Sequence, residues 1–300
     1  MTHPAFAGRA FLCLLAGGCC IAFAPIFVRL SDTGPVASAF WRVALAAPML
    51  WLWVWREGST GRDSDSQSRD PGGSANWSLT PVFLAGVFFA VDLAVWHWSI
   101  VWTSVANSTL LANLAPIFVT LGGWILWKQQ VTRLFLVGMV TAIVGMFVLV
   151  GPNFSAGGTA LLGDALGALT AVFYASYMLA IKRSRDVGAS TARLMAWSTT
   201  ISAVLLLPVA LLSPQPMLAQ AASGWLVLLG LAFVSQVIGQ GLIAYAFAHL
   251  PASLSSVSLL IQPVVAALAA WALFGEAVGA AQLVGGAIVL AGIWISKRAS

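Results

Sequence analysis

Charge is what this chain has least of. Of its 300 residues only 8% are Asp, Glu, Lys or Arg, against 60% hydrophobic. Soluble domains carry roughly 25% charged residues because their surfaces face water, so a chain this poor in charge has to cover itself with lipid. Cysteine is nearly as scarce. Cys13, Cys19 and Cys20 all lie in the first apolar run, two of them adjacent, which argues for small packing residues and against a disulfide framework. His3, His97 and His249 are scattered, and no H-E-x-x-H or Cys–Cys pair offers zinc ligands, so neither a metal nor a cofactor is expected. A G-x-x-x-x-G-K-[ST] loop is missing, and no soluble stretch is long enough to hold ATP, which argues against a primary pump. The net charge of +5 is spread over short loops instead of gathering on one face, so nucleic acid is not an expected partner. An enzyme would have to build its site from Asp92, His97 and tyrosines alone, and no catalytic residues are assigned.

Long apolar runs are what is there. A helix needs about 20 apolar residues to cross a bilayer. Ten such segments can be read, at 9–29, 36–56, 79–102, 105–127, 133–151, 160–182, 191–212, 224–248, 252–274 and 279–296. Strands are excluded, since polar–apolar alternation is absent over runs this long. The fold class expected is an all-α integral membrane protein. Connections are short except for 57–78, whose Gly, Ser, Asp and Arg residues predict a flexible loop. Arg9, the run behind it and Ala22-Phe23-Ala24 also resemble a cleavable signal, whose removal would leave nine spans. With the N-terminus inside, twelve of the fourteen Lys and Arg fall on the cytoplasmic side, leaving Arg29 outside and Arg42 within a span. This positive-inside bias puts both termini in the cytoplasm. Fourteen Trp, including Trp51, Trp53 and Trp55 at one helix end, suit contact with lipid at the membrane boundary.

The last 55 residues repeat, without a gap, a stretch lying 147 positions earlier. Pro116, Trp124, Gly138 and Gly145 fall opposite Pro263, Trp271, Gly285 and Gly292. A weaker echo at an offset of 154 pairs Arg29, Asp32 and Gly34 with Arg183, Asp186 and Gly188. The division expected is two five-helix repeats, 1–152 and 153–300. Five is odd, so the second copy enters the membrane from the opposite side and the repeats are inverted. Such a pair has two packings of similar energy, one open to each side, as alternating access requires.

Matched helix breakers mark a transporter site best. Pro116 and Pro263 sit mid-span and should free the carbonyls of Ala112 and Leu259. Asn113 shares a helix face with Thr109 and Pro116, Ser258 and Gln262 share another, Gln236 and Gln240 lie one turn apart, and Thr170, Tyr174 and Tyr177 share a fourth. Asn and Gln facing lipid would leave hydrogen-bonding groups unpaired, so these faces should look inward. Inward means either a solute cavity or helix packing, because Ser and Thr also bond helix to helix. Asp92 lies mid-span, where a charge costs roughly 2.5–3.5 kcal/mol. It shares a face with Trp96 and either binds solute or a proton, or pairs with Arg42. His97 is as well suited to a structural hydrogen bond as to carrying a proton. Asp164 and Glu276 read as boundary residues.

Ala24-Pro25-Ile26-Phe27, Trp41-Arg42, Leu114-Ala115-Pro116-Ile117-Phe118, Ile261-Gln262-Pro263-Val264, Leu273-Phe274-Gly275-Glu276 and Gln282-Leu283-Val284-Gly285-Gly286 occur in that order. With the duplication, the chain resembles the drug/metabolite transporter superfamily, in particular its ten-span EamA-type exporters, and is similar to the aromatic amino-acid exporters of the YddG type. It departs from the family in having Lys128-Gln129 where an acidic residue usually follows helix four. The resemblance implies a bacterial inner-membrane exporter whose partner is a small-molecule substrate, an amino acid or similar metabolite. Two rivals remain: a polyspecific exporter of drugs or lipophilic cations anchored on Asp92, and a membrane-embedded enzyme acting on lipid.

Overall fold

Inside lipid, backbone N–H and C=O groups have to be met within the chain, which leaves the helix as the solution for apolar runs of this length. The computed structural model describes residues 4–60, 78–151, 160–275 and 278–300, and no strand occurs among them. Among the described residues, ten helical stretches are long and apolar enough to cross a membrane. Span one is α1 (Pro4–Ala22) continued by α2 (Ala24–Leu30), span two is α3 (Pro35–Thr60) and span three α4 (Leu79–Trp102). Span four joins α5 (Val105–Ala112) to α6 (Ala115–Trp127), and span five is α7 (Arg133–Val150). In the second half, α8 (Ala160–Asp186) and α9 (Thr191–Leu211) are spans six and seven. Span eight runs through α10 (Ala222–Gly230), a π-helical segment (Leu231–Gln240) and α11 (Gly241–Phe247). Span nine joins α12 (Ala252–Ser258) to α13 (Ile261–Phe274), and span ten is α14 (Ala280–Arg298).

Three details differ from expectation. α3 continues to Thr60, so residues 57–60 are helical and not part of a loop. Span one is interrupted at Phe23, just before Pro25. Span eight changes hydrogen-bond register over ten residues. The remainder of the long loop (61–77), the expected repeat junction at 152/153 and the boundary residue Glu276 lie outside the described residues.

Contacts between loops fix the alternation of the spans. On one face Thr132 Oγ1 donates to the Ala299 carbonyl and Lys182 Nζ to the Phe247 carbonyl. That face carries both ends of the described chain and is called terminal here. On the opposite, distal face Asp32 accepts the N–H groups of Gln220 and Ala221, Trp41 Nε1 donates to the Met217 carbonyl and Thr103 Oγ1 to Asp164. Side chains suit lipid outside: Leu161 and Leu212 are 79% and 86% exposed.

The inverted repeat is written into the contacts. Adding 147 turns Gly138 into Gly285 and Gly145 into Gly292. A Cβ on Gly138 would stand 2.8 Å from the Gly292 carbonyl oxygen, and one on Gly145 would stand 2.9 Å from that of Gly285. Each glycine thus faces the partner of the other, as a two-fold axis between α7 and α14 demands. Other contacts obey the same exchange of span n with span n + 5. α3 packs on α9, its own equivalent; α4 on α8 is matched by the π segment and α11 on α1. Helix ends repeat it too. Lys128 and Gly275, 147 apart, cap α6 and α13 with φ of 55° and 67°. Glycine takes that left-handed conformation freely, while lysine does so against a steric penalty of roughly 1–2 kcal/mol.

Candidate functional site

Among the described residues, three spans are broken part-way along, each just ahead of a proline: at Phe23 before Pro25, at Asn113 and Leu114 before Pro116, and at Leu259 and Leu260 before Pro263. Tight turns absorb the breaks. The N–H of Leu114 reaches the Leu111 carbonyl, and that of Gln262 the Leu259 carbonyl, at 3.1 and 3.0 Å. The Leu259 carbonyl, expected to be free, is therefore taken by the backbone. Its counterpart Ala112 lies on a cavity wall.

That cavity, of about 120 Å³, sits among spans one, two, three, four, six, eight and nine. It brings together Asp92, Trp96, Asn113, Tyr174, Gln240, Gln262 and Pro263, with Arg42 reaching in from span two. Asp92 is 13 residues from the start of α4 and 10 from its end, about 20 and 15 Å along the helix, so the site is central. Phe89, Thr109 and Thr170 complete the polar and aromatic wall, and Ile21, Ala22, Ala24, Leu93 and Ala266 give it an apolar side.

Its electrostatics rest on two buried ionisable side chains. Arg42 and Asp92 are each 6% exposed. Arg42 Nε donates to Gln236 Oε1 at 3.0 Å, Gln236 Nε2 donates to Thr199 Oγ1 at 3.2 Å, and the guanidinium lies 5.6 Å from the Phe89 ring centre. Phe89 in turn stacks on Tyr177 at 4.6 Å. No ion pair within 4.0 Å joins Asp92 to Arg42 or to any other described residue. Tyr174 lines the cavity beside Gln240 and Gln262, and Tyr177 Oη donates to Gln240 Oε1 at 3.3 Å.

Access to the cavity is one-sided. Pro25, Trp96, Thr109, Pro263 and Ala266 belong both to its wall and to that of a vestibule of about 860 Å³. The vestibule runs to the distal face between Arg29, Ile100, Val150 and Phe274, with the Arg29 guanidinium 4.6 Å from the Phe274 ring centre. Toward the terminal face, Tyr174, Tyr177, Met178, Gln240 and Phe247 close together and leave no room for a water molecule.

Five of the candidate residues lie off the wall. Gln236 is fully buried behind Arg42. Tyr177 belongs to the closing layer. Ser258 donates to the Leu254 carbonyl at 2.8 Å, and Pro116 is buried at the start of α6. His97 sits elsewhere in the bundle: its Nδ1 donates to the Leu93 carbonyl at 2.6 Å, and it is 1% exposed. Phe89 and Pro25 are not singled out by the sequence as wall residues, whereas Thr109 and Thr170 fall on inward faces without being assigned to the site. Thr109 and Thr170 stand four residues before Asn113 and Tyr174, and Phe89 three before Asp92, so helical spacing from the candidates points to all three. No group of three or more His, Cys, Asp or Glu side chains among the described residues is placed to hold a metal ion.

Known proteins give this geometry a setting. A sequence profile described as the EamA-like transporter family matches residues 8–151 and again 161–297. Two proteins of Archaeoglobus fulgidus, each named an uncharacterized transporter, are 26% identical over 71% of this chain and 74% of the relative, and 25% identical over 90% and 91%. A protein of Streptantibioticus cattleyicolor named a probable terminal-alkyne amino-acid exporter is 29% identical over 67% of each chain. A crystal structure sharing 16% of the sequence superposes with a TM-score of 0.79 over 97% of both chains, a likeness of fold.

Proposed function

Because the chain belongs to the EamA-like transporter family, we propose that this multi-pass membrane protein exports amino acids and related small metabolites by alternating access. The observation that carries the reading is the central cavity, open through a vestibule to one face and sealed toward the other by a layer with no room for water. A site reached from one side at a time, at the meeting of two inverted repeats, is what rocking transport uses. Ten of the Lys and Arg side chains in described segments lie toward the terminal face: Arg9, Arg56, Lys128, Arg133, Lys182, Arg183, Arg185, Arg193, Lys297 and Arg298. The positive-inside rule then makes that face cytoplasmic and the present state outward-facing, in a bacterial inner membrane. The name of the Streptantibioticus relative supports amino acids as cargo. A lipophilic cation anchored on Asp92 fits less well, because the guanidinium of Arg42 faces the same space.

The test is efflux and counterflow of a radiolabelled amino-acid panel in proteoliposomes, with and without a pH gradient. Saturable counterflow of at least one amino acid is expected. Folded protein that moves none of them would reject amino acids as the substrate class.

A further inference from the structure

The proposal below rests on the transport reading and sharpens it. Arg42 and Asp92 are both more than nine-tenths buried and both line the central cavity. Arg42 spends only its Nε–H on the protein, on Gln236. Its two Nη groups take no acceptor among the described residues, and the Asp92 carboxylate takes no donor there. The two side chains form no direct ion pair within 4.0 Å, although each lies within electrostatic reach of the other. A buried charge without a partner is among the costliest things a membrane protein can hold, and such groups mark substrate pathways. Here a guanidinium and a carboxyl group face one small space without a direct ion pair, which leaves both open to the groups of a ligand.

We infer that the cavity is a zwitterion site, in which Arg42 takes the carboxylate and Asp92 the ammonium of an amino acid with both groups free. A guanidinium offers paired N–H donors that fit a carboxylate bidentately, and the Gln236 contact at Nε leaves the Nη groups to do so. The apolar wall of Ile21, Ala22, Ala24, Leu93 and Ala266 receives the side chain. An aliphatic side chain such as that of leucine suits this wall. The two-fold does not extend to the charges. At offsets of 147 and 154 Arg42 corresponds to Ala189 and Ala196, and Asp92 to Gly239 and Ala246. Both charges thus come from the first repeat, which fixes the orientation of the bound zwitterion and moves it with one half of the protein.

The experiment is competition against radiolabelled leucine in proteoliposomes by leucine, leucine methyl ester, 3-methylbutylamine and 4-methylpentanoate, paired with calorimetric binding of the same four compounds. Leucine is expected to compete at least 100-fold better than the ester, the amine or the acid. Arg42→Gln should weaken leucine and bring the amine level with it. Asp92→Asn should do the same for 4-methylpentanoate. These complementary patterns separate lost recognition from lost folding. Equal competition by amine, ester and amino acid would overturn the zwitterion site and leave the transporter standing. Absence of flux with calorimetric discrimination intact would overturn the transport reading and leave the site. Absence of binding by all four compounds to folded protein would overturn the site as assigned.

Discussion

Gln236 contributes nothing to the cavity wall, yet its Oε1 holds Arg42 Nε from 194 residues away, and its own Nε2 is held by Thr199. The chain Thr199–Gln236–Arg42 aims a guanidinium that would otherwise swing on its long stem. Hydrogen bonds to charged groups contribute about 1.5–3 kcal/mol, and much of that here goes into orientation. Gln236→Leu should therefore raise the half-saturating substrate concentration about tenfold, with little change in the maximal rate, because Arg42 remains but is no longer aimed. Gln236→Glu should be worse than Gln236→Leu, since the new carboxylate would pair Arg42 in place of substrate. Equal, unchanged kinetics in both variants would show that Arg42 needs no aiming. Asp92 and Arg42 stood out in the sequence because a charge within an apolar span is costly enough to need a reason. The part played by Gln236 did not stand out: an uncharged amide one turn from Gln240 gives no sign that its partner lies on span two, and only the folded bundle brings them together.

Helix α7 meets α14 along glycines that let the two backbones touch. A Cβ on Gly145 would come within 2.5 Å of the Val289 nitrogen, and one on Gly285 within 2.4 Å of the Leu149 nitrogen. Backbone cannot turn aside as a side chain can, so the helices would have to separate. Gly145→Ala and Gly285→Ala should each cost about 1–3 kcal/mol, the range for overpacking a tight contact. Their thermal unfolding in detergent should fall by several degrees. Gly58→Ala, in a place where an added Cβ meets nothing within 4 Å, should unfold at the unaltered temperature or slightly above, because alanine favours the helix. If all three behave alike, close backbone contact is not what holds the repeats together. The spans themselves were legible, since length and apolarity decide them, and Pro116 and Pro263 gave away two of the three breaks. The π-helical register of span eight was not. It shifts which carbonyl each N–H meets without changing composition or apolar pattern, so Leu231–Gln240 reads as an ordinary span.

Seen whole, the molecule is closed on its terminal face by contacts whose two-fold counterparts are open. There Lys182, near the end of α8, donates to the last carbonyl of α11 at 3.1 Å and also pairs with Asp186 at 2.8 Å. Exchange of the repeats carries α8 to span one and span eight to span three. At the offset of 154 Lys182 corresponds to Val28, at the end of α2. Val28 and Ile100 of α4 stand on the wall of the open vestibule. The opposite state should then bring the ends of α2 and α4 together and part α8 from α11. Lys182 latches the present state. It is 13% exposed and Asp186 39%, so solvent screens the pair with Asp186, and the contact worth losing is the one to Phe247. Removing it by Lys182→Met should favour the opposite state by about 1 kcal/mol, a roughly fivefold gain in its population. With Cys13, Cys19 and Cys20 replaced by alanine, a cysteine at Ile181 reports the terminal side and one at Ile100 the vestibule. Lys182→Met should raise the labelling rate of Ile181→Cys by a membrane-impermeant maleimide about fivefold. It should lower that of Ile100→Cys only as far as the population open to the distal face is drained. Rates that rise together would mean that the bundle has loosened as a whole, and that the two faces are not coupled through the two-fold.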